Sequence, residues 1–363
     1  MIRNGLVWLA LIFALLGFAP ARAGEAAAPM ATTDFAFVSA GRTLSGVLDQ
    51  PAGGEARALV IFVHGYGPTD VRGWRLFEDL RTRFAALGVA SLVWDKPGQG
   101  RSEGAFDIDQ PVAESAQEVL DAAAALRERG VSGAQRIGLW SISRGGWIAP
   151  LAMAQDYGIG FWISVSGVDA LETFPYMLEQ NLRIEGRSEA EAAALAGELM
   201  RGFAITAEGG SLADYLAATA RLRHDPLMLR FTGGSPEVDP AAFAGQQRRF
   251  ASGEAQVDPS TGLMVYVPGF DALLGGLDAD VLALFGEKDM NVDWRRTRAL
   301  YERTIGRNPA GSLAVRSFPA ANHNLHRAAT GGLREMEEMT ERVPAEGYYA
   351  AQLAWLRERV LAE

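Results

Sequence analysis

Gly138-Leu139-Trp140-Ser141-Ile142-Ser143-Arg144-Gly145-Gly146 is the stretch that decides how this chain is read. Arg136 to Trp140 reads as a strand and Gly145 to Gln155 as a helix, so the two serines fall on the turn between them. A serine on so tight a strand-to-helix turn is held with its hydroxyl above the sheet, and its neighbours must be small because the turn leaves no room for bulk. Gly145 and Gly146 meet that need on the helix side. On the strand side Ser141 stands where the G-x-S-x-G pattern has a glycine, so the local pattern is S-x-S-x-G. Ser143, with a glycine two residues on, is the candidate nucleophile. Ser141 is its rival, and a capping serine on an ordinary turn is the bland alternative.

Upstream, Phe35 to Ser39 and Thr43 to Leu48 read as a hairpin, and Ala58 to Val63 is an unbroken apolar run of strand length. Continuous apolarity suits a strand buried on both faces of a parallel sheet. A helix from about Trp74 to Leu87, a strand from Ala90 to Trp94, a helix from about Val112 to Arg129 and a strand from Gly160 to Val165 complete an alternating series. That alternation predicts an open, mostly parallel α/β sheet. After Gly167 the rhythm gives way to sequence rich in Ala, Leu, Glu and Arg, with helices expected at Ser188 to Ala204, Leu212 to Arg223 and Pro240 to Phe250. It resumes with a strand at Val281 to Phe285, a helix near Trp294 to Thr304, a strand near Ser312 to Phe318 and a final helix near Gly347 to Leu361. The predicted organisation is therefore a core of residues 24–167 and 278–363 interrupted by a helical insertion, 168–277.

Residues 1–23 are set apart from the fold. Arg3 precedes an uncharged apolar run from Leu6 to Ala19, followed by Pro20 and the small-residue site Ala21-Arg22-Ala23, the pattern of a secretory signal peptide cleaved near Ala23. The run is shorter than the roughly 20 residues a membrane-spanning helix needs. The expected location is thus periplasmic or secreted, without membrane attachment after processing. The 363-residue chain has 48% hydrophobic and 21% charged residues, enough for a large core. Its lack of cysteine excludes disulfides, thiolate metal sites and a cysteine nucleophile. A net charge of −10 disfavours nucleic acid and anionic membranes as partners. Neither a metal-ligand spacing such as H-E-x-x-H nor a phosphate-binding glycine fingerprint occurs, so no cofactor and no metal are expected.

His64-Gly65-Tyr66-Gly67 directly follows the strand Leu59 to Val63, where backbone N–H groups can point at a developing oxyanion. Tyr66 supplies one such N–H and Arg144, the residue after the candidate nucleophile, the other; His64 reads as a structural histidine of this loop. Asp95-Lys96-Pro97-Gly98-Gln99-Gly100-Arg101-Ser102 then resembles the D-x-x-G-x-G-x-S loop found in many members of the α/β-hydrolase superfamily. With the serine turn and the His64 loop it makes three ordered motifs, and the likeness runs from about Val60 to His323, the insertion being unmatched in detail. The serine aminopeptidase-like and dienelactone-hydrolase-like esterase branches look most similar. The resemblance implies an α/β-hydrolase fold: a mostly parallel central sheet flanked by helices, with a helical cap inserted before the acid-bearing strand.

The family's order of serine, acid, histidine nominates Asp289 in the turn Gly286-Glu287-Lys288-Asp289 and His323 in Ala321-Asn322-His323. Asp293 is the reserve acid, with helix capping before Trp294 as its plainer role. Of the four histidines, His64 is early, His224 lies in the insertion, and His326 is the rival base. An imidazole must take the serine proton for the hydroxyl to attack, and a carboxylate must fix that imidazole. The leading expectation is hydrolysis of small to medium carboxylic esters through an acyl-serine. A peptidase or amidase acting on short peptides uses the same machinery, and a catalytically silent binding protein on this fold is the third reading. Phe174, Tyr176, Met177, Met200, Phe203 and Phe231 of the cap are candidates to line an acyl pocket or simply to pack its helices, and Glu179, Glu185 and Glu189 to meet a substrate amino terminus or to face solvent.

Overall fold

In this computed structural model, which describes residues 30–253 and 256–362, the chain opens with the hairpin β1 (Met30–Ser39) and β2 (Arg42–Pro51). The predicted leader lies outside the described residues. Then come β3 (Ala58–Val63), α1 (Glu78–Ala86) and β4 (Val89–Trp94), and every residue of both strands is buried. α2 (Val112–Glu128), β5 (Ile137–Ile142), α3 (Gly145–Met153) and β6 (Ile159–Val165) follow. The insertion contributes α4 (Phe174–Ile184), α5 (Glu189–Ala207), α6 (Leu212–Ala218), α7 (Ala220–Arg223), α8 (Pro226–Phe231), α9 (Pro240–Ala251), the two-residue strands β7 (Gln256–Val257) and β8 (Met264–Val265), and α10 (Phe270–Gly275). The core resumes with β9 (Asp280–Gly286), α11 (Trp294–Arg303), β10 (Ser312–Phe318), α12 (Leu333–Glu338) and α13 (Tyr348–Trp355).

Eight strands form one sheet in the order β1-β2-β4-β3-β5-β6-β9-β10. β1 and β2 run antiparallel, β2 meets β4 antiparallel, and the remaining pairings are parallel. One apolar cluster, with Leu59, Ile61, Trp147 and Trp162, covers one face, and another, with Val60, Phe62, Trp140 and Ile163, covers the other. This two-sided burial is why the central strands read as unbroken apolar runs. From β3 the chain moves outward to β4 and later returns to place β5 on the opposite side of β3. The strand order reverses there, and open α/β sheets bind ligands at the carboxyl ends of strands at such a point. Val63 pairs with Ser141, which brings the His64 loop beside the serine turn.

Some expected boundaries shift for physical reasons. The helix expected from Trp74 starts only at Glu78, because Arg75 and Phe77 have φ of 51° and 56°, incompatible with a right-handed helix. α5 and α9 match the insertion's expected helices closely, while the third is split at Thr219 into α6 and α7. α4, with a proline in its first turn, and the short α8, α10 and α12 went unread. The last helix gives way after Trp355 to a π-helical turn, Leu356–Val360. No helix among the described residues is long and apolar enough to cross a membrane.

Candidate active site

β5 delivers the serine turn. Ser143 has φ of 54°, a left-handed backbone that costs a non-glycine residue energy and persists only where its surroundings impose it. They do so here: the Ser143 N–H donates to Val165 O of β6 at 3.1 Å, and its own carbonyl accepts from Gly146 N at 2.7 Å as α3 begins. Glycine at 145 is required by packing, since a Cβ there would lie 2.9 Å from both Ser141 Cβ and Val63 O. Ser141, the rival, is fully buried inside β5 and accepts a hydrogen bond from Trp162 Nε1 at 2.8 Å, so its hydroxyl is committed to the core.

The acid and histidine loops follow β9 and β10. Asp289 is buried; its Oδ1 accepts from the backbone N–H groups of Asn291 and Val292 at 2.8 and 2.9 Å. Its Oδ2 lies 2.8 Å from Nδ1 of His323, which is fully buried. A carboxylate held by two backbone donors can only accept, so Nδ1 carries the proton and Nε2 is the basic nitrogen. Asp293, the reserve, instead caps α11 by accepting from Arg296 N at 3.2 Å. His326 shares the loop: its N–H donates to Asn322 Oδ1 and its carbonyl accepts from Asn322 N. Burial, helped by Arg342, brings its pKa down to about 4. Ser166, which the sequence reading missed, ties the loop to β6 by donating from Oγ to the His323 carbonyl at 2.7 Å. Ser166 and Leu325 share the left-handed backbone of Ser143, with φ of 45° and 55°.

Lys96 is a second residue the motif reading passed over. Its Nζ donates to Gly65 O at 2.6 Å and Gly67 O at 2.7 Å, the carbonyls on either side of Tyr66. The Gly65 carbonyl and the Tyr66 N–H belong to one amide, so the ammonium both fixes that loop and polarises the N–H as a donor. Burial, then Arg144, lower the Lys96 pKa to about 7, with Glu118 acting the other way. His64 packs edge-on to Trp94, ring centroids 5.5 Å apart, and burial followed by Lys96 brings its pKa to about 3, so it is neutral. The Arg144 side chain donates to Ser115 Oγ and Gln110 O and lies over the Tyr66 ring, 5.4 Å from its centroid. The Tyr66 hydroxyl bonds Tyr266, which donates to the buried carboxyl of Glu172 at the other root of the insertion. Arg144 opens α3, and the first N–H groups of a helix lack partners inside it.

Ser143, His323, Tyr66, His64 and His326 all line one cavity of about 310 Å³. Its remaining walls come from Gly65, residues of the Pro68–Leu80 stretch, Trp140 and Ile142 of β5, Asn324 and residues of the Pro344–Tyr349 stretch. None of the six apolar cap candidates lines it. Phe174, Met177 and Phe231 are buried with Leu178, Leu195 and Leu227 in a cluster of the insertion's own, Phe203 packs against that cluster, and Tyr176 donates to the Asp289 carbonyl at 3.3 Å. Glu185 is engaged by Arg230 at 2.9 Å and Arg334 at 3.2 Å, while Glu189 is exposed in the first turn of α5. Among the described residues there is no group of three or more His, Cys, Asp or Glu that could hold a metal ion.

The fold is similar to that of the esterase Pf2001 of Pyrococcus furiosus, with a TM-score of 0.52 at 14% identity over 91% of each chain. It is similar to Est1E of Butyrivibrio proteoclasticus, solved with ferulic acid, with a TM-score of 0.50 at 16% identity over 90% of this chain and 98% of that one. DcsB, solved with a substrate analogue, gives 0.54 at 14% identity over 92% and 100%. No curated protein matches the sequence. The family model described as the alpha/beta hydrolase family matches residues 60–334, from the first buried strand to beyond the histidine loop. The chain is a hydrolase and belongs to the alpha/beta hydrolase family.

Proposed function

We propose that the chain hydrolyses carboxylic esters through an acyl-serine formed on Ser143. The observation that carries this reading is a serine on a left-handed strand-to-helix turn facing the same cavity as a histidine whose other nitrogen is 2.8 Å from a buried carboxylate. Ser143 Oγ attacks the carbonyl carbon as its proton passes to His323 Nε2; Asp289 holds the imidazole in the tautomer that can accept it and stabilises the resulting imidazolium. The N–H groups of Tyr66 and Arg144 receive the oxyanion, the former polarised by Lys96. Collapse breaks the ester C–O bond, and the leaving alkoxide takes the proton from His323. Water then attacks the acyl-serine, gives its proton to His323 and releases the acid, and the proton returns to Ser143.

Hydrolysis rates for aryl esters of increasing acyl length beside aminoacyl arylamides, with Ser143→Ala as blank, test the reading. Esters are expected to be cleaved much faster than amides, with Ser143→Ala at background. Amides cleaved as fast as esters would move the assignment to a peptidase. Release outside the cytoplasm, on the strength of Arg3 and the Leu6 to Ala19 run, belongs to the same proposal; N-terminal mass spectrometry of the native protein should then find a start near Gly24 rather than Met1.

A further inference from the structure

The cavity beside Ser143 belongs to the core rather than to the cap, and its walls are unusually aromatic. Trp140 forms its floor, 1% exposed. Phe77 lies on it with ring centroids 4.7 Å apart and planes at 55°, and is backed by Phe62 at 5.5 Å. Trp74 and the pair Tyr348 and Tyr349, whose rings are 5.2 Å apart, line the same cavity. These rings come from separate stretches of chain and meet only in the fold.

Three features define what fits. The first is polarity: the floor makes no polar demand, because the Trp140 indole N–H donates to Gln352 Oε1 at 3.0 Å and Gln352 Nε2 donates to Tyr348 O at 3.3 Å. Of the three lining histidines, burial keeps His64 and His326 neutral, and of the charged groups on the lining Arg75 bonds Glu78 while Asp79 is exposed to solvent. The second is shape. Arg75 and Phe77 both hold left-handed backbones in the wall that carries Trp74 and Phe77, a conformation such residues adopt only when the surroundings over-determine it. The wall is therefore preformed. The third is size, since about 310 Å³ stands at the low end of small-molecule sites and suits a ring on a short linker better than a long acyl chain or a peptide.

We propose that this slot takes an aromatic ring of the substrate, making aryl or arylalkyl esters the preferred class. Rings at these separations offer an aromatic guest edge-to-face and offset contacts in addition to burial, whereas an aliphatic guest gains burial only. The inference rests on the ester-hydrolase reading and deepens it by naming what lies next to the scissile bond.

The test compares kcat/KM in two arms. One sets methyl phenylacetate and methyl 3-phenylpropionate against methyl butyrate and methyl hexanoate; the other sets benzyl acetate against butyl acetate. At least a tenfold aromatic preference is expected in one arm, and the arm that shows it tells whether the ring belongs to the acid or the alcohol. Trp74→Ala and Tyr349→Ala, both at half-buried positions and checked by circular dichroism, should each lower that preference at least fivefold through KM. Equal kcat/KM in both arms, or a preference unmoved by both variants, in an enzyme that cleaves esters and is labelled at Ser143 by a fluorophosphonate, would overturn the aromatic slot and leave the ester reading standing. Absence of both cleavage and labelling would instead overturn the ester reading, and this inference with it.

Discussion

Three side chains drawn from the ends of three strands share the proposed chemistry, and each is fixed by contacts that can be removed singly. Asp289 spends one oxygen on two backbone N–H groups and the other on His323, so Asp289→Asn should retain much of the loop but present the wrong partner to Nδ1. Turnover is expected to fall roughly a thousandfold or more, since the carboxylate orients and stabilises without carrying the proton. His323→Ala should cost several orders of magnitude, whereas His326→Ala should leave most of the activity, because the Asp289 carboxylate is bonded to His323 Nδ1. Asp293→Asn should leave catalysis intact and cost about 1 kcal/mol of stability or less through the α11 cap. Steady-state rates on variants shown to be folded check all four. A dead His326→Ala beside an active His323→Ala would mean that the base is misassigned.

The ends of β9 and β10 are interlocked so that acid and histidine meet. Gly286, the last residue of β9, lies so close to the histidine loop that a Cβ would come 2.3 Å from Asn322 O and 2.5 Å from Ala321 O. Gly286→Ala must therefore push backbone against backbone; a loss of about 3 kcal/mol in denaturant unfolding is expected, together with a fall in kcat as His323 moves from Asp289. Unchanged stability and rate would show that the two loops are not so coupled. The strand–helix alternation and the serine turn were legible in the sequence because each is written in consecutive residues, an apolar run and then small and polar residues at a fixed place, whereas Asp289 and His323 were nominated by the family's order of serine, acid and histidine. The cavity was not legible. Its rings meet across the fold, Lys96 reaches carbonyls 31 and 29 residues away, and the late start of α1 stems from left-handed backbones at Arg75 and Phe77 that nothing local in their sequence requires. Cap aromatics looked like a pocket because helix-packing residues and ligand-lining residues are the same types; the structure gives Phe174, Met177 and Phe231 to packing.

Taken over the entire fold, the buried imidazoles couple stability to pH. His64 and His326, with pKa values brought down to about 3 and about 4 by burial, stay neutral in the native protein while the unfolded chain takes up protons below the usual histidine value near 6.5. Their contribution is fully present above that value and is lost as pH falls toward the native values, at about 1.4 kcal/mol per pH unit for each histidine within the window. Urea unfolding of the wild type and of His326→Gln isolates one of them: the stability gap between the two should narrow between pH 6.5 and 4.5, and a gap independent of pH would contradict the neutral burial of His326. The same fold sets Ser143 on the left-handed turn at the end of β5. Reaction of the intact protein with a fluorophosphonate, followed by peptide mapping of the adduct, asks whether that serine is activated. A single label on Ser143, abolished in Ser143→Ala and strongly slowed in His323→Ala, is the expected result; a label on Ser141, or none on a protein that still cleaves esters, would contradict it.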